Sequence, residues 1–308
     1  MDWIEISVLC DGEAAEAVAE LFNRFNSRPG EGQSGAVIEV GGFDAYGELT
    51  EPVVTVRTYL SAGDPARQRQ IEEGLWFLGR LYPIPEPVIR ELAEEDWANA
   101  WKRHYRPTRV GQRLLIVPSW QADELGELAF DEAGQPLLPV ILDPGMAFGT
   151  GLHPSTRLCM RALEQHLQPG DNVLDVGCGS GVLSITAARL GASAILATDI
   201  DPIAVAATEE NCQRNGVAAR VTAREGSLPE RAEQPAGWQV VVANILADVI
   251  VQLLVDGMQR LLAADGRLIV SGIIEPRAAE VEVALDQAGL RVLDRLVEGD
   301  WVALVAAR

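Results

Sequence analysis

Val173-Leu-Asp-Val-Gly-Cys-Gly-Ser-Gly181 is the stretch of sequence that decides the fold. Residues 173–176 have the apolar character of a buried strand, and the residues from Val182 onward follow the pattern of a helix. The glycines between them lack side chains, so the backbone can turn sharply there and come close to a ligand. The stretch therefore predicts a strand, a ligand-binding loop and a helix in direct succession.

Strand and helix patterns alternate along the chain from residue 170 onward. The predicted strands cover 172–176, 194–198, 220–223, 239–243, 267–271, 290–296 and 301–305, and the predicted helices cover 182–190, 202–215, 246–262 and 276–288. Such alternation is typical of a doubly wound α/β sheet with helices on both faces. Ligands of such sheets bind where the carboxyl ends of the strands meet the loops that follow them.

The spacing of the loop glycines separates two classes of ligand. Gly177, Gly179 and Gly181 form a GxGxG motif, whereas the dinucleotide fingerprint is GxGxxG, and position 182 here is valine. A dinucleotide such as NAD is therefore the less favoured ligand, although a dinucleotide-binding protein stays an alternative.

Two aspartates follow the next predicted strand and receive different roles. Asp199 lies 22 residues after Gly177, at the end of that strand. A carboxylate at this position can accept hydrogen bonds from both hydroxyls of a ribose. Asp201 precedes Pro202, which is typical of a helix start. We therefore predict that Asp199 binds a ribose and that Asp201 caps the helix.

Two further segments flank the same predicted ligand site. Asn244 directly follows the strand 239–243, and its side-chain carbonyl can accept a hydrogen bond from an amine and orient the nitrogen lone pair. The alternative is an asparagine that caps the next helix. The glycine-rich loop 143–154, which contains Phe148, is typical of a lid over a ligand. His153 precedes a proline at a helix start, so we interpret it as a structural hydrogen-bonding residue.

The first 93 residues predict a separate small domain. Strand patterns cover 3–10, 35–40, 52–60 and 87–92, and helix patterns cover 13–25 and 65–81. The order βαββαβ is typical of a ferredoxin-like α+β sandwich, in which two helices pack on one antiparallel sheet.

A linker helix and a hairpin are predicted to join this domain to the second one. Residues 94–106 predict the linker helix, because Trp97, Trp101 and Tyr105 recur every four residues and so share one face. Residues 107–308 then form the second domain. Strand-like runs on either side of the turn signal at 131–134 predict a hairpin at its entrance.

Composition limits the partners that the protein can have. The formal net charge of −20 at pH 7 repels phosphate backbones, so we expect no stable nucleic-acid binding and favour a basic protein partner. The alternative is that the acidity only keeps the protein soluble.

No apolar run approaches the roughly 20 residues of a membrane span, and no secretory signal opens the chain. We expect a cytoplasmic monomer that carries no metal, because the four cysteines lack metal-ligand spacing.

Six segments of the chain are similar to one known family. They are Asp96-Trp-Ala-Asn-Ala-Trp101, Pro118-Ser-Trp120, Asp143-Pro-Gly-Met-Ala-Phe-Gly-Thr-Gly151 with His153-Pro154, the loop Val173–Gly181, Asp199-Ile-Asp-Pro202 and Asn244-Ile-Leu-Ala247. With these segments the chain resembles the bacterial ribosomal protein L11 methyltransferases. The segments 143–151 and 244–247 are specific to that family, whereas a GxGxG loop fits every class I methyltransferase.

The resemblance implies a function and a set of site residues. It implies a class I, Rossmann-like methyltransferase that uses S-adenosyl-L-methionine to methylate lysine side chains and an α-amine of ribosomal protein L11. It also implies cofactor contacts at Thr156, Gly177, Asp199 and Asn244 and recognition of the ribosomal protein by residues 1–93. Gly179 and Phe148 join the expected cofactor contacts, and Asn244 is the expected catalytic residue.

Several alternatives to this function stay open. They are methylation of RNA, of a glutamine side chain or of another protein, and a cofactor-binding adaptor without catalysis. The Asn-Pro-Pro-Tyr type of motif expected for RNA and glutamine methylation is absent after the strand 239–243, where Asn244-Ile-Leu-Ala stands instead. The acidic charge also disfavours RNA.

Overall fold

A computed structural model shows two compact units, Met1–Arg106 and Pro107–Arg308. The structure describes residues 3–10, 12–26, 36–40, 54–61, 63–80, 82, 84–92, 106–142, 151–230 and 236–308. The predicted linker helix, apart from its last residue, and the part of the predicted lid from 143 to 150 lie outside the described residues. None of the helices in the described ranges combines the length and the apolar character that a membrane span needs.

The first unit is built on one four-stranded sheet. Its elements are β1 (Trp3–Cys10), α1 (Gly12–Asn26), β2 (Val37–Val40), β3 (Val54–Ser61), α2 (Pro65–Leu78) and β4 (Val88–Leu92). The strand order is β2-β3-β1-β4, and each of these pairings is antiparallel. Ile4, Ile6 and Val8 alternate along β1 and join the apolar cluster that includes Val18 and Phe22 of α1. Because every second residue of β1 is apolar, the sheet has one apolar face, and the helices pack against it.

The second unit begins with a small three-stranded sheet. Its strands are β5 (Thr108–Val110), β6 (Leu114–Pro118) and β7 (Leu138–Leu142), in the order β5-β6-β7. β5 and β6 are antiparallel and are joined through Gly111, whose φ is +62°. β6 and β7 run parallel.

The hairpin predicted around residues 131–134 is therefore wrong. The turn itself forms, with a 2.9 Å hydrogen bond from the Gly134 amide to the Asp131 carbonyl, and one antiparallel bridge joins Phe130 to Pro136. The strands on either side do not pair across this turn. Two short 3₁₀ helices, Ser119–Gln121 and Gly126–Ala129, lie between β6 and the turn, and β7 returns parallel to β6.

A seven-stranded mixed sheet forms the main body of the second unit. Its elements are α3 (Pro154–His166), β8 (Asn172–Val176), α4 (Val182–Leu190), β9 (Ala194–Asp199), α5 (Pro202–Arg214), β10 (Val221–Glu225), β11 (Trp238–Asn244), α6 (Ala247–Asp256), β12 (Leu262–Ile274), α7 (Glu275–Gln287), β13 (Arg291–Glu298) and β14 (Trp301–Ala307). The strand order is β10-β9-β8-β11-β12-β14-β13. β14 runs antiparallel to β12 and β13, and β8 to β12 pair in parallel.

The strand order places a crevice between β8 and β11. From β8 the chain proceeds through β9 to β10 on one side, and from β11 it proceeds to β12 on the other. Alternate residues of the central strands lie in two apolar clusters: Val173 and Val240 in one, Leu174 and Val241 in the other. Both faces of the sheet are thus covered, and the open crevice lies at the carboxyl ends of β8 and β11.

Candidate active site

The glycine loop lies at the carboxyl end of β8, beside the end of β11. Gly177, Gly179 and Gly181 have φ angles of +75°, +54° and +79°, which favour glycine. The amides of Gly177 and Cys178 donate to the Thr198 carbonyl at 2.8 and 3.1 Å. A Cβ added at Gly177 would lie 2.6 Å from Cγ2 of Ile245. The residues after β11 therefore approach the loop so closely that a side chain at Gly177 has no room.

Asp199 closes the loop from the end of β9. Its Oδ2 accepts a hydrogen bond from the Gly179 amide at 2.9 Å, and its Oδ1 accepts one from the Asp201 amide at 3.0 Å. A carboxylate offers about four lone-pair positions, so both oxygens can still accept from a ligand hydroxyl. The carboxylate is half-buried and fixed in direction by the glycine loop itself.

The predicted cap at Asp201 is confirmed. Asp201 is the N-cap of α5, and its Oδ1 accepts from the Ile203 amide at 2.8 Å. Asp201 therefore caps the helix, and Asp199, two residues earlier, bonds to the glycine loop.

Asn244 and Thr156 are joined by a hydrogen bond at the carboxyl end of β11. The Nδ2 of Asn244, at the end of β11, donates to Oγ1 of Thr156 in the first turn of α3 at 3.1 Å. The Oδ1 of Asn244 is buried and has no hydrogen-bond partner among the described residues. A buried acceptor without a partner costs free energy, so it fits a ligand that donates a hydrogen bond. Leu246, and not Asn244, occupies the N-cap position of α6, so the helix-cap alternative is wrong.

His153 is a structural hydrogen-bonding residue, as predicted, and the structure shows that it caps a helix. It is the N-cap of α3, and its Nδ1 accepts from the Ser155 amide at 3.3 Å and lies 2.7 Å from the Ser155 hydroxyl. The ring packs edge-on against Trp301, with 4.5 Å between centroids. Burial, and then the positive charge of Arg157, lower its pKa from 6.5 to about 3. The imidazole is therefore neutral at physiological pH.

Asp175 is a buried acid that the sequence interpretation missed. It lies on β8 two residues before the loop, is fully buried, and accepts a 2.7 Å hydrogen bond from the Ser184 hydroxyl. Burial raises its pKa to about 6, although the bond from Ser184 acts in the opposite direction. An acidic residue inside an apolar strand run is the signal that would have identified it.

In the structure, the predicted site residues form two hydrogen-bonded groups. Gly177 and Gly179 belong to one loop that bonds to Asp199, and Thr156 bonds to Asn244. Phe148 lies outside the described residues. Within the described part of the chain, no group of three or more His, Cys, Asp or Glu side chains is arranged to hold a metal ion.

The residues present fit a nucleoside with a polar substituent. The glycine loop leaves backbone accessible where a side chain would not fit, Asp199 offers acceptors for ribose hydroxyls, and Asn244 offers a buried acceptor. Together with the mixed seven-stranded sheet, this site defines the class of S-adenosylmethionine-dependent class I methyltransferases.

Comparison with known proteins identifies the family within that class. The family model described as "Ribosomal protein L11 methyltransferase (PrmA)" matches residues 2–308. The chain belongs to this family. It is 45% identical over 323 residues to the ribosomal protein L11 methyltransferase of Herpetosiphon aurantiacus, covering 98% of each chain. It is 38% identical to the protein of the same name from Geobacillus kaustophilus, covering 100% of both chains.

A solved structure agrees with this assignment. The crystal structure of ribosomal protein L11 methylase from Lactobacillus delbrueckii subsp. bulgaricus superposes with a TM-score of 0.58 and 32% sequence identity. The match covers 66% of this chain and 99% of that one.

Proposed function

We propose that the protein transfers methyl groups from S-adenosylmethionine to lysine side chains and an α-amine of ribosomal protein L11. The observation that carries the chemistry is the buried Oδ1 of Asn244, which has no partner among the described residues and lies where the carboxyl ends of β8 and β11 meet. The substrate is inferred from the curated relatives, which are named ribosomal protein L11 methyltransferases and match along nearly their full length.

The cofactor would be held by residues from several elements. The backbone of Gly177 and Gly179 would lie against the cofactor, and Asp199 would accept from its ribose hydroxyls. Thr156 and Asn244 would border its reactive end, and Phe148 would cover it. When bound, S-adenosylmethionine supplies an activated methyl group on its sulfonium.

Asn244 would orient the substrate nitrogen. Its Nδ2 donates to the Thr156 hydroxyl, so its Oδ1 is the end that would accept a hydrogen bond from the substrate. A hydrogen bond from the amine to Oδ1 would direct the nitrogen lone pair toward the methyl group, and such positioning can supply a large part of the rate. Asn244 is therefore the proposed catalytic residue.

Solvent would remove the amine proton. At neutral pH, deprotonation of a lysine costs roughly 4 to 5 kcal/mol, and that of an α-amine about 1 kcal/mol. His153 is a poor base for this step, because its pKa of about 3 is too low to hold a proton at neutral pH and its Nδ1 already caps α3. The protein would thus bind the neutral amine and position it, while water takes up the proton.

The first unit would recognise the ribosomal protein. Its strand order β2-β3-β1-β4, with antiparallel pairing and two helices, supports the ferredoxin-like fold proposed for residues 1–93. The net charge of −20 suits a basic substrate and opposes stable binding of nucleic acid. We further propose that the enzyme acts as a monomer in the cytoplasm, where ribosomal proteins are made.

The direct test uses purified protein, methyl-labelled S-adenosylmethionine and a mixture of purified ribosomal proteins and ribosomal RNA. We expect label on L11 alone, and mass mapping should place it on lysine side chains and the α-amine. Label on RNA alone, or on another protein alone, would reject the proposed substrate.

A deletion tests the role of the first unit. A chain that lacks residues 1–93 should bind S-adenosylhomocysteine in calorimetry as the full chain does, yet it should no longer methylate L11. Full methylation by the shortened chain would show that this unit is not the recognition module.

A further inference from the structure

A row of buried polar side chains runs along one face of α5 and its C-cap. We call Thr208, Asn211 and Asn215 the α5 polar stripe, because they recur at i, i+3 and i+7 and so share a helix face. Their exposed fractions are 0%, 4% and 4%. Burying a hydroxyl or an amide costs free energy unless it is hydrogen-bonded, so the partners of these groups indicate what the stripe does.

Two members of the α5 polar stripe bind the glycine loop. The Thr208 hydroxyl donates to the Gly179 carbonyl at 3.0 Å, and Nδ2 of Asn211 donates to the Ser180 carbonyl at 2.9 Å. A Cβ added at Gly181 would lie 2.9 Å from Cγ2 of Thr208, so helix and loop are in close contact. Since each carbonyl is held from the helix side, the rotation of these peptide units is fixed. The Gly179 amide, which belongs to the adjoining peptide unit 178–179, donates to Asp199.

The third member binds the edge of the small sheet. Nδ2 of Asn215 donates to the Ile141 carbonyl at 2.6 Å, and the Ile141 amide donates to Oδ1 of Asn215 at 2.8 Å. This paired bond resembles that between neighbouring antiparallel strands. One helix face therefore fixes both the glycine loop and β7.

We propose that the α5 polar stripe is a positioning device for the nucleoside part of S-adenosylmethionine. The inference rests on the proposed function. Thr208 and Asn211 touch no ligand themselves; they set the peptide planes of the loop so that the loop backbone and the Asp199 carboxylate face the nucleoside together. Asn215 holds β7 to the same helix. Thr208 and Asn211 are positioning residues, and their loss should weaken cofactor binding more than it slows the bound enzyme.

The test compares two buried threonines that make the same kind of bond. Thr186 is fully buried on α4, and its hydroxyl donates to the Val182 carbonyl at 2.7 Å, within its own helix. Thr208→Val and Thr186→Val each remove a buried hydroxyl with little change of shape. Thr208→Val also loses a second contact to the glycine loop, the 3.3 Å contact between the Thr208 hydroxyl and Sγ of Cys178. Calorimetry with S-adenosylhomocysteine should show about tenfold weaker binding for Thr208→Val and unchanged binding for Thr186→Val. Thr208→Ser, which keeps the donor, should restore the affinity.

Steady-state kinetics give a second readout on the full-length enzyme. For Thr208→Val the KM for S-adenosylmethionine should rise about tenfold while kcat stays within about twofold of the parent. Asn211→Asp loses the Nδ2 donor at nearly constant volume. It should likewise raise the KM for S-adenosylmethionine and leave kcat nearly unchanged.

If Thr208→Val and Asn211→Asp both bind S-adenosylhomocysteine as tightly as the unmodified protein does, the inference is overturned. The proposed methylation of L11 would not be affected by that result. Equal loss of affinity in Thr186→Val would also overturn it, because the effect would then follow general destabilisation. Failure of the unmodified protein to bind S-adenosylhomocysteine would reject the proposed function together with the inference.

Discussion

The two ends of the Asn244 amide differ in their surroundings. Its Nδ2 donates to Thr156, and its Oδ1 is buried with no partner among the described residues. A side chain that only stabilised the fold would be expected to satisfy both ends. The sequence predicted a carbonyl acceptor at this position but gave no sign of the contact with Thr156, because the two residues are 88 positions apart.

Asn244→Ala should reduce catalysis with little effect on folding. The substitution removes the acceptor that orients the substrate amine, so kcat/KM for L11 should fall roughly 100-fold, a typical loss for one positioned polar group. Initial rates with purified L11 measure the change, and thermal unfolding serves as the folding control. Unchanged turnover would remove Asn244 from the mechanism.

His153 should make stability depend on pH. Its pKa is about 3 in the folded protein and near 6.5 in the unfolded chain, so the unfolded chain takes up a proton first as the pH falls. The stability present above pH 6.5 is then lost progressively between pH 6.5 and 3. By pH 5 the loss should reach about 2 kcal/mol.

Urea unfolding at pH 7.5 and 5 measures this effect against His153→Asn, which keeps a cap acceptor but does not titrate. Asp175 acts with the opposite sign, because its folded pKa is raised to about 6, but it is present in both proteins. Equal pH dependence of the two proteins would contradict the assignment to His153.

At the scale of single elements, buried strands and capped helices were predictable, and features that depend on distant contacts were not. β8 and α4 have the predicted ends, because apolar runs bounded by glycines specify both. The helix predicted at 246–262 ends at Asp256, because Gly257 adopts a φ of +104°. The α5 polar stripe was missed, since its bonds to the glycine loop join residues about 30 positions apart and leave no periodic pattern.

The glycine loop should tolerate a methyl group poorly at Gly177. Gly177→Ala meets both a φ of +75° and a contact of 2.6 Å with Ile245. Gly216→Ala meets a similar φ of +66° but no described atom within 4 Å, so it isolates the backbone strain. That strain costs roughly 1 kcal/mol. Gly177→Ala should be less stable than Gly216→Ala in urea unfolding and should lose S-adenosylhomocysteine binding, which Gly216→Ala should retain.

At the scale of the whole molecule, the net charge follows from the sequence alone, because it is a count of charged residues. A charge of −20 produces a long-range field that attracts a basic protein and is screened by salt. Because the strands from residue 172 onward form one sheet, the sequence also predicted the edge of that sheet at which we propose that the ligand binds. It could not predict that β6 and β7 run parallel, because the intervening turn signal is local and carries no information about strand direction.

Raising the salt concentration should weaken the substrate interaction selectively. Between 50 and 300 mM NaCl, the KM for a basic protein substrate should increase several-fold, because screening reduces the steering field. The affinity for S-adenosylhomocysteine, measured in parallel, should change little. A KM for the protein substrate that stays constant would show that the acidity serves solubility instead.

The position of β14 has a consequence for biosynthesis. It follows β13 in the chain yet lies between β12 and β13, and all seven of its residues are buried. A nascent chain that has left the ribosome only as far as residue 300 therefore has a gap inside the sheet, with exposed strand edges on either side. The methyltransferase unit can complete its sheet only after β14 emerges, and until then its edges are accessible to chaperones.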